Sequence, residues 1–225
     1  MDTYTVGIIG GTGPQGKGLG LRFAQAGHTV TLGSRSQERA QQAAEELNAR
    51  LPNSQAVSGA ANEKAVAGSS IAVLAVPYEG HADLVATLRA HLEGKIVVSC
   101  VNPLGFDQQG PYGLGVPEGS AAEQAASLAP DARVVAAFHH LSSKNLLGEE
   151  PYLEHEDVLV VSDDAEAKQV VRDLSGAITG KPGVDAGALR LARQLEQLIA
   201  VVISINKRYK VSAGLAVSGL PGATH

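Results

Sequence analysis

Short apolar runs separated by longer polar segments dominate the first half of the chain. Apolar runs of about five residues with little polar alternation are typical of strands that are buried on both faces. The pattern therefore predicts an α/β fold, with a parallel sheet covered by helices on both faces. The strand-like runs lie at residues 5–9, 28–33, 71–76, 95–99 and 133–138.

Helices are predicted between these runs, where alanine and charged residues recur at helical spacing. The sequence Leu-Pro-Asn-Ser at 51–54 ends one helix, and the glycine- and proline-rich segment 103–119 is expected to be a loop. The predicted helices cover residues 17–26, 38–50, 62–67, 80–92 and 120–128.

The last third of the chain is predicted to end in a long helix, residues 188–209. Its apolar residues spread over more than one face, which favours burial against a second subunit in a homodimer or higher oligomer. The alternative is a helix at the centre of the monomer. The tail, 212–224, either extends from the molecule or folds back as the wall of a cleft. The segments before this helix are a strand at 158–161, a helix at 166–174 and an extended piece at 181–185.

A glycine cluster follows the first strand directly. It contains the spacing G-x-G-x-x-G at Gly11, Gly13 and Gly16, between a strand and a helix, as in dinucleotide-binding folds. Gly11 would form the tight turn, Gly13 would let a pyrophosphate approach the backbone, and Gly16 would let the helix pack closely. The alternative is a glycine turn with a structural role alone.

The end of the second strand indicates which nucleotide is bound. A carboxylate there would hydrogen-bond the free ribose 2′-hydroxyl of NAD, but this chain has Ser34 and Arg35, with Arg39 one helical turn later. Guanidinium groups bind a 2′-phosphate, often bidentately. The sequence therefore favours NADP. The alternative is that both arginines are solvated residues at a helix start.

Ligands of parallel sheets collect at the carboxyl ends of the strands. This rule selects Val76, Pro77 and Tyr78 at the end of the third apolar run, and Asn102 after the fourth. The prolines at these ends also stop strands, which is compatible with a binding role.

Composition excludes several classes of function. The net charge is −5 and no basic run is present, so neither nucleic acid nor an anionic membrane is expected as a partner. The single cysteine, Cys100, excludes an internal disulfide and suits a reducing compartment. No signal peptide or membrane-spanning run is recognisable, so a cytoplasmic location is expected.

Two local features look reactive. His139 and His140 follow the strand at 133–138, and adjacent strand residues point to opposite faces, so a shared metal ion is not expected. We expect one histidine to face the cleft as a hydrogen-bond donor and the other to be structural or exposed. The second feature, Asp-Asp-Ala-Glu at 163–166, is interpreted as a helix N-cap with a capping-box glutamate, not as an acid–base pair.

Several of these motifs together resemble the NADPH-dependent reductases of coenzyme F420, an 8-hydroxy-5-deazaflavin. The resemblance extends over nearly the whole chain and is carried by the glycine turn with Gly-Lys-Gly-Leu after it, Gly-Ser-Arg at 33–35, Ile-Ala-Val-Leu-Ala-Val-Pro at 71–77, and the turn at His139. It implies a Rossmann-type, doubly wound NADP-binding domain over residues 1–150. It also implies a small α-helical or mixed C-terminal part, 151–225, which would contribute to the deazaflavin cleft and to dimerisation.

The resemblance also implies roles for individual residues. Two positions depart from the expected pattern: Ser142-Ser143 stands where Pro-Ala is usual, and Arg39 replaces a lysine. On the NADP side the resemblance and the motifs give Gly11, Thr12, Gly13, Pro14, Gln15, Gly16, Ser34, Arg35, Arg39, Val76, Pro77, Tyr78, Asn102 and Ser143. On the deazaflavin side the resemblance gives His139, Leu141, Ser143 and Leu215.

The implied activity is reversible hydride transfer between NADP(H) and F420. Such a reaction needs two rings stacked in a dry cleft, so no obligatory catalytic acid or base is expected, with His139 only a hydrogen-bond partner of the deazaflavin. Two alternatives remain open at this point. One is an NADPH-dependent reductase of a carbonyl, an imine or ferric ion, and the other is an NADP-sensing module without enzymatic activity.

Overall fold

Strands and helices alternate along the chain in the computed structural model, which describes residues 2–52 and 56–220. Positions 53 and 54 of the predicted turn and 221–224 of the predicted tail lie outside the described residues. The strands are β1 (Thr5–Ile9), β2 (Thr29–Ser34), β3 (Val57–Ala61), β4 (Ile71–Leu74), β5 (Ile96–Ser99), β6 (Leu104–Asp107), β7 (Gly110–Gly113), β8 (Arg133–Ala136), β9 (Leu159–Val161) and β10 (Val184–Gly187). The α-helices are α1 (Pro14–Gln25), α2 (Gln37–Asn48), α3 (Asn62–Ala67), α4 (His81–Leu92), α5 (Ala121–Leu128), α6 (Ser143–Leu146), α7 (Ala165–Thr179) and α8 (Ala192–Tyr209).

Eight of these strands form one sheet in the order β10-β9-β8-β5-β4-β1-β2-β3. The pairs from β3 to β8 are parallel, whereas β9 runs antiparallel to β8, and β10 is parallel to β9. The strand order reverses between β1 and β4, which is where ligands of this Rossmann-type architecture bind. The fold class predicted from the apolar runs is confirmed.

The sheet has a hydrophobic cluster on each face, as the unalternating strands predict. In β4, Ile71 and Val73 belong to one cluster and Ala72 and Leu74 to the other, because successive side chains point to opposite faces. Apolar residues of α1, α2 and α7 cover the first face, and those of α4 and α5 cover the second.

The structure adds elements that the sequence pattern did not predict. The run Val-Ser-Gly-Ala-Ala of β3 pairs with β2 although it has one β-branched residue. A hairpin of β6 and β7 occupies the predicted loop, and its turn is closed by Asp107, whose carboxylate accepts N–H groups from Gln109 and Gly110. β9 and β10 extend the same sheet beyond residue 150.

The predicted capping box at 163–166 is wrong in detail. Asp164 is the N-cap of α7 and accepts the backbone N–H of Ala167 at 2.9 Å. Asp164 also accepts from the guanidinium of Arg133, and this hydrogen bonding lowers the pKa of the Asp164 carboxyl to about 2. Glu166 lies one position too early to complete a capping box, and it contacts Arg133 instead.

The long C-terminal helix has two unlike faces. A short 3-10 turn, Leu189–Leu191, precedes α8. Ile199 and Val202 of α8 are buried against the rest of the protein, whereas Val201 and Ile205 are exposed.

Among the described residues, no helix has the length and apolar character needed to cross a bilayer.

Candidate functional site

The glycine turn between β1 and α1 is built on very close backbone contacts. Gly11 donates its N–H to the carbonyl oxygens of Ile8 and Gly33, at 3.1 and 2.9 Å. A Cβ on Gly11 would lie 2.8 Å from the Ile8 oxygen, and a Cβ on Gly16 would lie 2.6 Å from the Gly11 Cα atom. Neither position has room for a side chain, because Gly11 lies against Ile8 of β1 and Leu32 of β2, and Gly16 of α1 packs directly on the loop. The positive φ of the turn, 75°, is at Gly10.

Gly13 differs from the other two glycines of the motif because its surroundings are open. It is the N-cap of α1, and the atom nearest to a Cβ placed there would be the Gly10 carbonyl oxygen at 3.5 Å. Within the described residues, no side chain caps this helix, and no acidic residue lies in its first turn. The N–H groups of the first turn and the positive end of the helix dipole are therefore available to an anion.

A cleft of about 840 Å³ begins at this turn and crosses the ends of β1, β2 and β4. Its floor lies at the point where the strand order reverses. Seven of the residues predicted for NADP line it, namely Thr12, Gly13, Ser34, Arg35, Arg39, Val76 and Pro77. The remaining lining residues are Gly10, Ser36, Asn62, Ala75, Glu79, Gly80 and Leu84.

The far end of the cleft, beyond β2, is basic. Arg35 and Arg39 line it, and within the described ranges neither guanidinium has an ion-pair partner. The backbone beneath them is fixed, because the Ser34 hydroxyl accepts the Ser36 N–H at 3.2 Å and Ser36 caps α2 by accepting the Arg39 N–H at 3.3 Å. Two unneutralised cations on an ordered backbone match a phosphate ester.

The other residues predicted for NADP contact protein groups. Pro14 is the first residue of α1, and the Gln15 side chain donates to the carbonyl oxygen of Phe138 at 3.3 Å. Tyr78 stacks on His81, and the Asn102 amide nitrogen donates to the carbonyl oxygen of His139 at 3.1 Å. Gln15 and Asn102 therefore hold the segment after β8 from two sides.

The segment after β8 turns sharply at Phe138. This buried residue has φ of 66°, the left-handed conformation that bulky residues rarely adopt. Its ring packs edge-on against Phe23, with ring centroids 5.9 Å apart. Backbone strain of this kind costs about 1–3 kcal/mol and concentrates at functional sites.

Both histidines after this turn are buried, which leaves the structural role as the one open to the second histidine. The expectation that the two side chains point to opposite faces is wrong. β8 ends at Ala136, and the two residues no longer alternate as in a strand. His139 and His140 line one small cavity of about 10 Å³ together with Leu159, Leu195, Ile199 and Leu215.

The two imidazoles are neutral at physiological pH. Burial lowers the pKa of His139 to about 3, with the neighbouring His140 as a smaller cause. Burial also lowers the pKa of His140 to about 4. His140 Nε2 lies 3.7 Å from a carboxylate oxygen of Glu156, whose own pKa is raised by burial.

The C-terminal tail folds back over the turn formed by Phe138, His139 and His140, which we call the histidine turn. Asp157 donates its N–H to the Leu215 carbonyl oxygen and accepts the Val217 N–H, both at 2.7 Å. Lys181 contacts the Asp157 carboxylate at 2.8 Å. These bonds fix the tail where Leu215 and His139 line the same small cavity, which brings together two of the residues predicted for the deazaflavin.

A second cavity of about 810 Å³ lies beside the tail. Its lining includes Lys144, Asn145, Tyr152, Glu156 and Gly214, so it adjoins Ser143 and Leu215 along the chain. Leu141, the remaining predicted deazaflavin residue, is buried. Of the four predicted residues, His139 and Leu215 line the small cavity together, whereas Leu141 and Ser143 line neither that cavity nor the one beside the tail.

Sequence reasoning missed Asn62, which lines the cleft at the ends of β1, β2 and β4. It also missed Glu156, which lines the cavity beside the tail. Asn62 follows β3, a strand that the apolar pattern did not reveal. Glu156 meets His140 only through the fold, and no local spacing in the sequence marks this pair.

Comparison with known proteins gives concordant results. The family model described as "NADP oxidoreductase coenzyme F420-dependent" matches residues 5–103. An F420-dependent NADP reductase of Methanothermobacter thermautotrophicus is 35% identical over 223 residues, which cover 96% of this chain and 95% of the relative. One from Methanocaldococcus jannaschii is 33% identical over 221 residues, covering 96% and 98% of the two chains.

A solved structure is similar over almost the same extent. It is a candidate F420-dependent NADP-reductase from Arthrobacter sp. FB24, 27% identical in sequence, with a TM-score of 0.79. The match covers 95% of this chain and 100% of the other.

Proposed function

The chain belongs to the family of F420-dependent NADP reductases, and we propose that it transfers hydride reversibly between NADP(H) and coenzyme F420. The observation that carries this function is the extent of the relationship. The curated reductases match over 96% of this chain, so the similarity includes the C-terminal third as well as the nucleotide-binding half.

The cleft that begins at the glycine turn fits NADP along its length. The pyrophosphate would lie against Gly13 and the uncapped start of α1, where backbone N–H groups face the cleft. The 2′-phosphate would lie between Arg35 and Arg39, supported by Ser34. Val76 and Pro77 would flank the path toward the ends of β4 and β5, where Tyr78 and Asn102 lie.

The deazaflavin is proposed to lie on the side of the histidine turn, where His139, Leu141, Ser143 and Leu215 belong to adjoining elements. When bound, the nicotinamide and the deazaflavin supply the hydride donor and acceptor themselves. The work of the chain is to bring the two rings together and to exclude water. Two features serve to exclude water. His139 is buried, and the tail is held over it by the hydrogen bond from the Val217 N–H to the Asp157 carboxylate.

His139 is proposed as a neutral hydrogen-bonding group. With a pKa of about 3, the imidazole is not protonated to the imidazolium form near neutral pH, so it does not act as an acid. The Asn102 amide fixes the backbone at His139 and so fixes the position of the ring.

A comparison of electron acceptors tests this function. NADPH oxidation is measured with F420, with a cyclic imine, with a small carbonyl compound and with ferric ion, under identical conditions. We expect rapid turnover with F420 and loss of its oxidised absorption band. Turnover with one of the other acceptors and none with F420 would contradict the proposal.

Two finer proposals concern the protein as a whole. We propose a homodimer that covers the outer face of α8, because Val201 and Ile205 are 54% and 40% exposed on successive turns. Sedimentation equilibrium of the wild type and of Val201→Glu tests it, with a shift toward monomer expected in the variant. We propose a cytoplasmic location because the chain has a single cysteine and therefore no internal disulfide, which suits a reducing compartment.

A further inference from the structure

Asn62 lies at the basic end of the nucleotide cleft. It follows β3 directly, and the register pairs Ser34 of β2 with Ala61 of β3. The next residue on each strand is therefore Arg35 on one side and Asn62 on the other. Both residues line the cleft, together with Arg39.

The side chain of Asn62 is held with one polar atom inward. The residue is 6% exposed, and its Oδ1 atom is buried without a hydrogen-bond partner among the described residues. A Cβ on Gly33 would lie 2.8 Å from this oxygen, so the amide is seated against a position that only glycine can provide. The amide nitrogen makes no hydrogen bond among the described residues and, unlike Oδ1, is not a fully buried atom, so it is the polar group that Asn62 has left for the cleft.

The folding of α3 does not account for this arrangement. Asn62 is the first residue of α3, the N-cap is Ala61, and no side chain in the described part of the chain makes a capping hydrogen bond there. A buried polar atom without a partner destabilises the folded state, so a residue that keeps one is expected to have another role.

We propose that Asn62 is a specificity-determining residue that donates a side-chain N–H to the 2′-phosphate of NADP, opposite the two guanidinium groups. The inference rests on the proposed function, since it concerns the nucleotide of that reaction. An anion between Arg35 and Arg39 is an acceptor for every N–H that faces it. An amide adds a directed hydrogen bond to the phosphate without adding charge.

Asn62→Asp is the sharpest variant, because it keeps the shape of the side chain and replaces the donor by a carboxylate. Dissociation constants of NADPH and NADH are measured by nucleotide fluorescence for the wild type, Asn62→Asp and Asn62→Ala. We expect NADPH binding to weaken about tenfold in the alanine variant, the loss of one hydrogen bond to a charged group. The aspartate variant is expected to weaken it about a hundredfold, with NADH changed less than about threefold in both.

The matched control is Gln41→Glu, which makes the same chemical change on an exposed residue of α2 that does not line the cleft. It is expected to leave the ratio of the two dissociation constants unchanged. A structural defect at Asn62 would weaken both nucleotides alike, and this result would overturn the inference.

The same titrations separate this inference from the proposed function. If the wild type prefers NADPH and reduces F420 while both Asn62 variants keep the wild-type ratio of NADPH to NADH affinity, the assignment of Asn62 alone is wrong. If the wild type itself shows no preference for NADPH or does not reduce F420, the proposed function fails first and the inference fails with it.

Discussion

At the scale of single residues, the proposed recognition of the nucleotide depends on charges that the protein leaves unneutralised. Arg35 and Arg39 line the cleft and make no ion pair within the part of the chain that the structure describes. A surface arginine with a protein carboxylate beside it would be partly neutralised, whereas these two keep their full charge for a ligand.

Replacing Arg35 by glutamate tests the role of this charge. The change removes a hydrogen-bonding cation and places a carboxylate where a 2′-phosphate would bind. We expect kcat/KM for NADPH to fall about a hundredfold and the value for NADH to change little. The control is Arg89→Glu, the same charge reversal at an exposed residue near the end of α4. Equal losses with both nucleotides would contradict a phosphate-binding role.

His139 is expected to affect the rate only moderately. Because burial holds its pKa at about 3, it is neutral over the working pH range and donates no proton as an imidazolium. We expect His139→Ala to lower F420 reduction by no more than about a hundredfold. The pH profile of kcat between about pH 6 and 8 should keep its shape. Complete loss of turnover with both ligands still bound would show that His139 is a catalytic residue.

The glycine residues were predictable from the sequence, but the environment of the histidines was not. The spacing of Gly11, Gly13 and Gly16 reports local backbone geometry, which short-range pattern encodes well. The burial of His139 and His140 depends on where β8 stops and on the positive φ of Phe138. Phe138 contacts Phe23 and Gln15 of α1, and Leu215 of the tail lines the cavity of the two histidines, so the partners of this segment lie far away in the sequence.

At the scale of secondary-structure elements, the start of α1 combines a structural and a binding requirement. Gly16 is enclosed by the turn, whereas Gly13 is open toward the cleft. We expect Gly16→Ala to destabilise the fold by about 1–3 kcal/mol through overpacking. Gly13→Ala should cost under about 1 kcal/mol and still weaken NADPH binding about tenfold or more. Urea unfolding and nucleotide titration of both variants test this separation, and equal stability losses would contradict it.

The contact between α8 and α5 contains a titratable group. Glu196 is buried and accepts the N–H groups of Ala121 and Ala122 at 2.8 and 3.0 Å. Burial raises its pKa to about 7, against the effect of these two hydrogen bonds. A carboxyl group whose pKa is raised on folding stabilises the protein below its unfolded pKa and loses that contribution as pH rises through the folded pKa.

Glu196 should therefore make stability depend on pH between about 5 and 8. We expect its contribution to the free energy of unfolding to fall by up to about 3 kcal/mol over this range, and Glu196→Gln to remove the fall. Urea unfolding of both proteins at about pH 5 and pH 8 measures the difference. The same pH dependence in the variant and the wild type would show that another group is responsible.

Strands with a clear apolar pattern were predicted correctly, and those without one were not. The runs that became β1, β4 and β5 are buried on both faces and carry a strong signal. β3 is a strand because β2 offers it a full set of backbone partners, which its own residues do not indicate. Asn62 escaped notice for the same reason, since its position at a strand end is visible only once β3 is known.

At the scale of the whole molecule, one sheet carries both halves of the proposed site. β1, β2 and β4 end at the nucleotide cleft, and β8 ends at the histidine turn, where the tail folds back. The sequence predicted the parallel sheet but not the antiparallel β9, because the direction of β9 depends on the long connection after β8. The C-terminal third thereby becomes part of the fold that holds the proposed deazaflavin side in place.

The most direct test of hydride transfer between the two carriers uses NADPH labelled with deuterium at C4 of the nicotinamide, in each of its two stereoisomers. F420 is reduced in a single turnover, and the hydrogen at C5 of the reduced deazaflavin is examined by NMR. Direct transfer predicts that one stereoisomer delivers its deuterium to C5 in full and the other delivers none. Solvent hydrogen at C5 with both stereoisomers would contradict the account.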